Sequence, residues 1–188
     1  MVEHLSKNEC LMNNIHQKPK LMENKALEIL KMAILMERRG KEFYNTVAGH
    51  TQNEQVKNIF SIMAKEEQLH IEQLSQQYKE YQKSGQFILQ NHNSDENEET
   101  IAKMVLNPEV RKSLSAASYE AAAINAAIDM ENKAIEVYSK RAEESTDANE
   151  KELYTWLANF ERDHHKILHN LNKELMEEVW YDNNFWPF

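Results

Sequence analysis

Apolar residues recur at steps of three and four along four stretches of the chain, the spacing that lines one face of a helix. The first stripe carries Ala26, Leu30, Ala33, Glu37, Gly40 and Tyr44, and the second Val56, Phe60, Met63, Glu67, His70 and Leu74. The third places Ile124, Ala127, Glu131, Ala134 and Tyr138 together, and the fourth Tyr154, Leu157, Glu161, His164, Leu168 and Leu171. This pattern predicts helices over 23–49, 53–82, 116–146 and 148–179. Each is roughly 30 residues, or about 45 Å at the helical rise, a length typical of a four-helix bundle. The turns within each pair are short, so each pair is expected to be an antiparallel hairpin. Residues 83–115, with the polar stretch NHNSDENEET and Pro108, form a connection long enough to cross the bundle's length. Residues 1–22 read as a polar, irregular arm, and 177–188 as an aromatic tail that caps the bundle or a dimer interface. The bundle proper is expected over 23–176.

Composition narrows the function classes. The length of 188 residues suits one domain, and only three glycines and three prolines rule out an all-β sandwich with its frequent turns. Acidic residues outnumber basic ones, 31 to 22, for a net charge of −9, which argues against nucleic acid as a partner. No apolar run approaches a membrane span, and the N-terminus lacks the apolar core of a signal peptide. A cytoplasmic protein without membrane contact is expected. The single cysteine, Cys10, excludes an internal disulfide framework, a four-cysteine metal site and a CxxC redox pair.

The chemistry lies in the stripes themselves. Each helix carries a glutamate in the middle of its apolar face, and two of them add a histidine one turn later. A buried ionised carboxylate without a partner is prohibitively unfavourable and normally protonates. No lysine or arginine shares the stripes at that level. Two divalent cations would neutralise the four carboxylates.

An internal repeat supports this reading. Glu37, Tyr44, Glu67 and His70 recur as Glu131, Tyr138, Glu161 and His164 at a constant offset of 94 residues. Ala33, Ile34, Met36 and Ala64 are matched by Ala127, Ile128, Met130 and Ala158 at the same offset. The second helix pair therefore reads as a copy of the first, packed about a pseudo-two-fold axis through the glutamate layer. One Glu-x-x-His carries little information in a chain this rich in glutamate. Two of them, each 30 residues after a stripe glutamate, carry much more. In this motif both side chains project from one face, about 5–6 Å apart at Cβ.

The sequence resembles the rubrerythrin-like branch of the ferritin-like superfamily. The resemblance rests on Glu37 in ILMERRGKEFY, Glu67 and His70 in MAKEEQLH, Glu131 in AIDMENKAIEVY, and Glu161 and His164 in NFERDHHKIL. It implies an all-α, ferritin-like four-helix bundle made of two repeated antiparallel helix pairs with a long crossover connection. It also implies a non-haem di-iron centre that reduces hydrogen peroxide or dioxygen, with Glu67 and Glu161 bridging two iron ions. Glu37, Glu131, His70 and His164 would be terminal ligands. Carboxylate and imidazole ligands suit manganese and zinc as well.

Two departures from the family pattern bear on mechanism. A typical rubrerythrin has a C-terminal rubredoxin-like domain with four cysteines, whereas this chain ends in WYDNNFWPF. Its electrons are expected from an external donor, such as a rubredoxin-like protein. Rubrerythrins also usually carry an extra glutamate one turn after the first on the third helix, and here that position is Ala134. Gly40 is its counterpart on the first helix, so two small residues leave room above the metals for an oxidant.

Tyr44 and Tyr138, two turns beyond Glu37 and Glu131, are candidates to hydrogen-bond ligand carboxylates and to supply protons or electrons. Asp129 and Asp163 are candidates to orient the ligand histidines, and His165 with His169 is expected on an exposed face. His4, His16, His50 and His92 fall in arms and loops. Two other functions share the ligand set: a ferroxidase that handles iron, and an oxygenase acting on an organic substrate. A homodimer is expected.

Overall fold

The computed structural model describes residues 7–89 and 119–182, with side chains over 25–89 and 119–173. Among the described residues the chain forms four helices: α1 (Lys7–His50), α2 (Glu54–Ser84), α3 (Tyr119–Glu144) and α4 (Ala148–Asp182). No strand occurs among them. Helix α1 packs along α2, and α3 along α4, with three-residue turns between partners. The arrangement is the four-helix bundle of two antiparallel hairpins that the stripes predict, in the ferritin-like form that the resemblance implies. No described helix is long and apolar enough to cross a membrane.

Two element boundaries differ from expectation. The segment read as an irregular arm is helical from Lys7 onward, through Pro19. An apolar stripe reports which helical residues are buried, not where a helix begins. Residues 7–22 contain no glycine and many strong helix formers (Lys, Leu, Met, Gln, Glu), which suffice to extend α1 backwards. Helix α4 likewise runs past its expected end, to Asp182, into the segment read as a tail. The rest of that tail (183–188) and most of the crossover connection (90–118) lie outside the described residues.

The repeat extends to the turns. Asn53 caps α2, its Oδ1 accepting from the N–H groups of Gln55 and Val56 at 3.0 and 3.1 Å. Asp147, 94 residues later, caps α4 by accepting from Asn149 and Glu150 at 2.9 and 3.0 Å. Each cap is preceded by a hydroxyl that accepts its backbone N–H: Thr51 for Asn53 (3.1 Å) and Ser145 for Asp147 (3.2 Å). The side-chain oxygens satisfy helix-end donors that have no intrahelical partner.

The end of α2 is equally defined. Gly85 takes the left-handed conformation (φ 68°) and donates its N–H to Tyr81 O at 2.8 Å, which stops the helix. The Gln77 side chain then holds both backbone groups of Ile88, and Asn149 Nδ2 donates to Phe87 O at 2.8 Å. The chain leaving α2 is thereby fastened to the start of α4.

The core is divided in two. One apolar half gathers Tyr44, Val56, Ile59, Phe60, Met63, Ile124 and Leu168, among others. The other contains Leu30, Leu74, Tyr138, Leu153, Tyr154 and Leu157. Between them lies the layer of acidic and imidazole side chains. A polar layer at this depth is unfavourable unless its charges are compensated, so its composition points to ligand chemistry rather than to packing.

Candidate metal centre

All six predicted ligands are buried: Glu37, Glu67, His70, Glu131, Glu161 and His164 each expose 3% or less. They form two overlapping groups. Glu37, Glu67, His70 and Glu161 each bring one ligand atom within 4.8 Å of the others, as do Glu67, Glu131, Glu161 and His164. Glu67 and Glu161 belong to both groups, the positions a bridging carboxylate would take. Both histidines turn Nδ1 toward the acidic layer. His70 Nδ1 lies 3.0 Å from Glu37 Oε2 and 3.6 Å from an oxygen of both Glu67 and Glu161. His164 Nδ1 lies 3.4–3.5 Å from Glu67, Glu131 and Glu161.

The tyrosines cross between hairpins. Tyr44 on α1 donates its hydroxyl to Glu131 on α3, and Tyr138 on α3 donates to Glu37 on α1. This reciprocal pattern makes α1 and α3 antiparallel about the pseudo-two-fold axis. It also fixes the two carboxylates that the repeat makes equivalent. Burial, followed by the negative charge of Glu37, pushes the Tyr138 hydroxyl well above its ordinary pKa, so it is a proton donor.

Electrostatics in the layer follow from crowding. Burial, with Glu67 close by, raises Glu37 to about 8. Burial and the charges of Glu131 and Glu37 hold Glu161 well above the usual carboxylate range. Burial and Glu161 also oppose ionisation of Glu67, but the close approach of Glu37, His164 and His70 outweighs them and leaves its carboxyl below the ordinary value. Burial would lower His70, yet Glu37 and Glu67 lift it to about 10. Burial is likewise overcome at His164, chiefly by Glu131 and Glu161. Without metal, the layer is neutralised by protons on both imidazoles and some carboxyls.

The residues fit a pair of cations. Both carboxylate oxygens of Glu161 and Nδ1 of His164 are buried without a hydrogen-bond partner. Carboxylate oxygens and an imidazole nitrogen that converge in this way have a natural partner in a metal ion, which displaces their protons. Four carboxylates and two imidazoles are the donor set of iron, manganese or zinc.

A cleft of about 180 Å³ opens onto this layer. Repeat-related pairs line it: Met36 with Met130, Arg39 with Lys133, Glu37 with Glu131, and Gly40 with Ala134. Tyr44 also lines it. The cleft therefore lies where the two small residues were expected to leave room. A Cβ on Gly40 would stand 3.3 Å from Glu67 Cδ, tighter than ordinary contact, so glycine lets Glu67 lie against α1.

Sequence reasoning missed Glu66. It is 2% exposed, and its Oε2 lies 2.9 Å from Nε2 of His164. Its position, three after Met63 and four before His70, placed it on the buried face all along. Of the aspartates considered for this role, Asp129 is exposed and Asp163 half-buried, and no hydrogen bond joins either to His70 or His164 among the described residues. His165 and His169 stack at 6.0 Å, with His165 half-buried and His169 exposed. His4, His16 and His92 lie outside the residues whose side chains are described.

Comparison with known proteins agrees with this geometry. A hypothetical protein from Pyrococcus furiosus has a similar fold, with a TM-score of 0.58 and 22% identity over 81% of this chain and 90% of that one. A comparison with curated protein sequences gave no significant match. The family model for rubrerythrin matches residues 28–172, which include all six clustered residues and both tyrosines. The chain belongs to the rubrerythrin family.

Proposed function

We propose that the protein is a di-iron oxidoreductase that reduces hydrogen peroxide or dioxygen with electrons from an external donor. The reading is carried by one observation: two four-residue groups share Glu67 and Glu161 at the floor of a small cleft. Glu37, Glu67, His70, Glu131, Glu161 and His164 would hold the metals. When bound, an iron pair supplies two electrons and Lewis acidity.

The protein's own contribution is positioning and proton supply. Glu131 and Glu37 are oriented by Tyr44 and Tyr138. Tyr44 lines the cleft, and its hydroxyl proton reaches a bound oxidant through Glu131, to which it donates. Met36, Met130 and Ala134 give the cleft part of its apolar lining. At about 180 Å³ the cleft is smaller than the ~300–1,000 Å³ of typical organic-ligand pockets, which favours a diatomic or peroxide over an organic substrate.

Metal analysis of anaerobically purified protein, followed by titration of the reduced form with peroxide and with dioxygen, tests the proposal. Two iron ions per chain and one two-electron oxidation per pair are expected. Repeated oxidation of many added ferrous ions per chain would instead identify a ferroxidase. Binding of one metal or none would overturn the dimetal reading.

A further inference from the structure

We propose that Glu66 makes the two metal half-sites inequivalent, so that the half-site of Glu131 and His164 takes up a divalent cation first. The inference rests on the dimetal reading above. It concerns a positioning residue that touches a ligand from behind and not the metals themselves.

Both histidines present Nδ1 to the acidic layer, so each must keep its proton on Nε2 when a metal binds. What Nε2 meets then decides how well the ring is held. For His164 the partner is Glu66 Oε2 at 2.9 Å, with both groups buried. The carboxylate fixes the tautomer, fixes the ring plane and adds basicity to Nδ1. For His70 the situation is reversed. Its Nε2 is buried without a hydrogen-bond partner. The ring instead meets Phe160 and Trp156 at near-right angles, at centroid distances of 4.9 and 5.2 Å. Aromatic rings are at best weak acceptors of an N–H. His70 Nδ1 is also engaged by Glu37 at 3.0 Å, a contact that a metal must displace.

The repeat locates the difference. Phe160 lies 94 residues after Glu66, so it occupies the equivalent position beside the other histidine. The six ligands obey the two-fold relation, and this pair breaks it. Glu66 faces His164 across the α2–α4 interface, and Phe160 faces His70 across the same interface.

Anaerobic titration of the metal-free protein with cobalt(II), followed by calorimetry and visible absorption, tests the proposal together with site-resolved anomalous diffraction at one equivalent of cobalt. Repulsion between two bound cations also separates the steps, so occupancy per site is the deciding measurement. At one equivalent, the anomalous peak should lie beside His164. Glu66→Gln should weaken the first step by roughly 10–100-fold, the usual effect of losing such a partner, and spread the peak over both half-sites. Phe160→Glu supplies the missing carboxylate and should draw cobalt toward His70. Equal peaks in the wild type, a first peak beside His70, or an unchanged distribution in Glu66→Gln would each overturn the inference while leaving two metals per chain. Saturation below two cobalt ions per chain would overturn the dimetal reading and this inference with it.

Discussion

At the residue scale, Glu37 and Glu131 are each a carboxylate of one half-site and the acceptor of one tyrosine. Glu37→Ala and Glu131→Ala should each reduce bound metal from two ions toward one per chain. Each should also lower oxidation of the reduced protein at least 10–100-fold, since a lost ligand matters no less than a lost partner of a ligand. Elemental analysis and stopped-flow absorbance measure both effects, and full metal occupancy in either variant would remove that residue from the ligand set. Ala134→Glu probes the cleft. Its carboxylate would start one turn beyond Glu131 and reach into the space lined by Met130 and Met36. The site would become asymmetric, and the reduced protein should favour peroxide over dioxygen more strongly than the wild type does. An unchanged ratio of the two oxidation rates, with metal content intact, would show that position 134 does not govern oxidant choice. The six clustered residues were legible because their spacing repeats at one offset. Glu66 was not, because its repeat partner is Phe160 and a search for symmetry passes over whatever breaks it.

At the scale of elements, every stripe residue read from the sequence is buried in the structure. Helix identity was therefore fully legible, and the ends less so. The start of α1 escaped because its first residues carry helix propensity without the apolar spacing that reports burial. The turns were legible only as short gaps, since Asn53 and Asp147 have no individual signal until seen as equivalents. Their caps make a direct prediction. Asn53→Ala and Asp147→Ala should each destabilise the protein by about 1 kcal/mol, read as a lower urea midpoint at constant slope. If one substitution is neutral, the donors at that helix end are satisfied by solvent.

For the molecule as a whole, the buried layer ties stability to pH. In the metal-free fold Glu37 holds its proton up to about 8, whereas its ordinary value is 4.5. Between these values the folded chain binds a proton that the unfolded chain has lost, so stability falls as pH rises through that window. His70 keeps its proton to about 10 against an ordinary 6.5, which adds a further loss between those values. Glu67 acts in the opposite sense, but only below its ordinary value of 4.5. The metal-free protein should therefore melt several degrees lower at pH 8 than at pH 5.5, on the order of a few kcal/mol. Metal removes these protons, so its stabilising effect should be larger at pH 8. Scanning calorimetry of both forms at both pH values measures this, and an equal gain from metal at each would mean that the carboxylates do not share one buried layer.

The capped three-residue turns have a further consequence, for rates. Each hairpin is closed by contacts between residues near in sequence, and such contacts form early in folding. The six residues of the layer join one hairpin to the other and can align only after the hairpins dock. Interactions absent from the transition state leave the folding rate unchanged and slow unfolding. Metal should therefore lengthen the lifetime of the native state without hastening its formation. In denaturant-jump kinetics, metal loading should lower the unfolding limb and leave the refolding limb in place. A matching rise of the refolding limb would mean that the two hairpins are already aligned across the layer when the barrier is crossed.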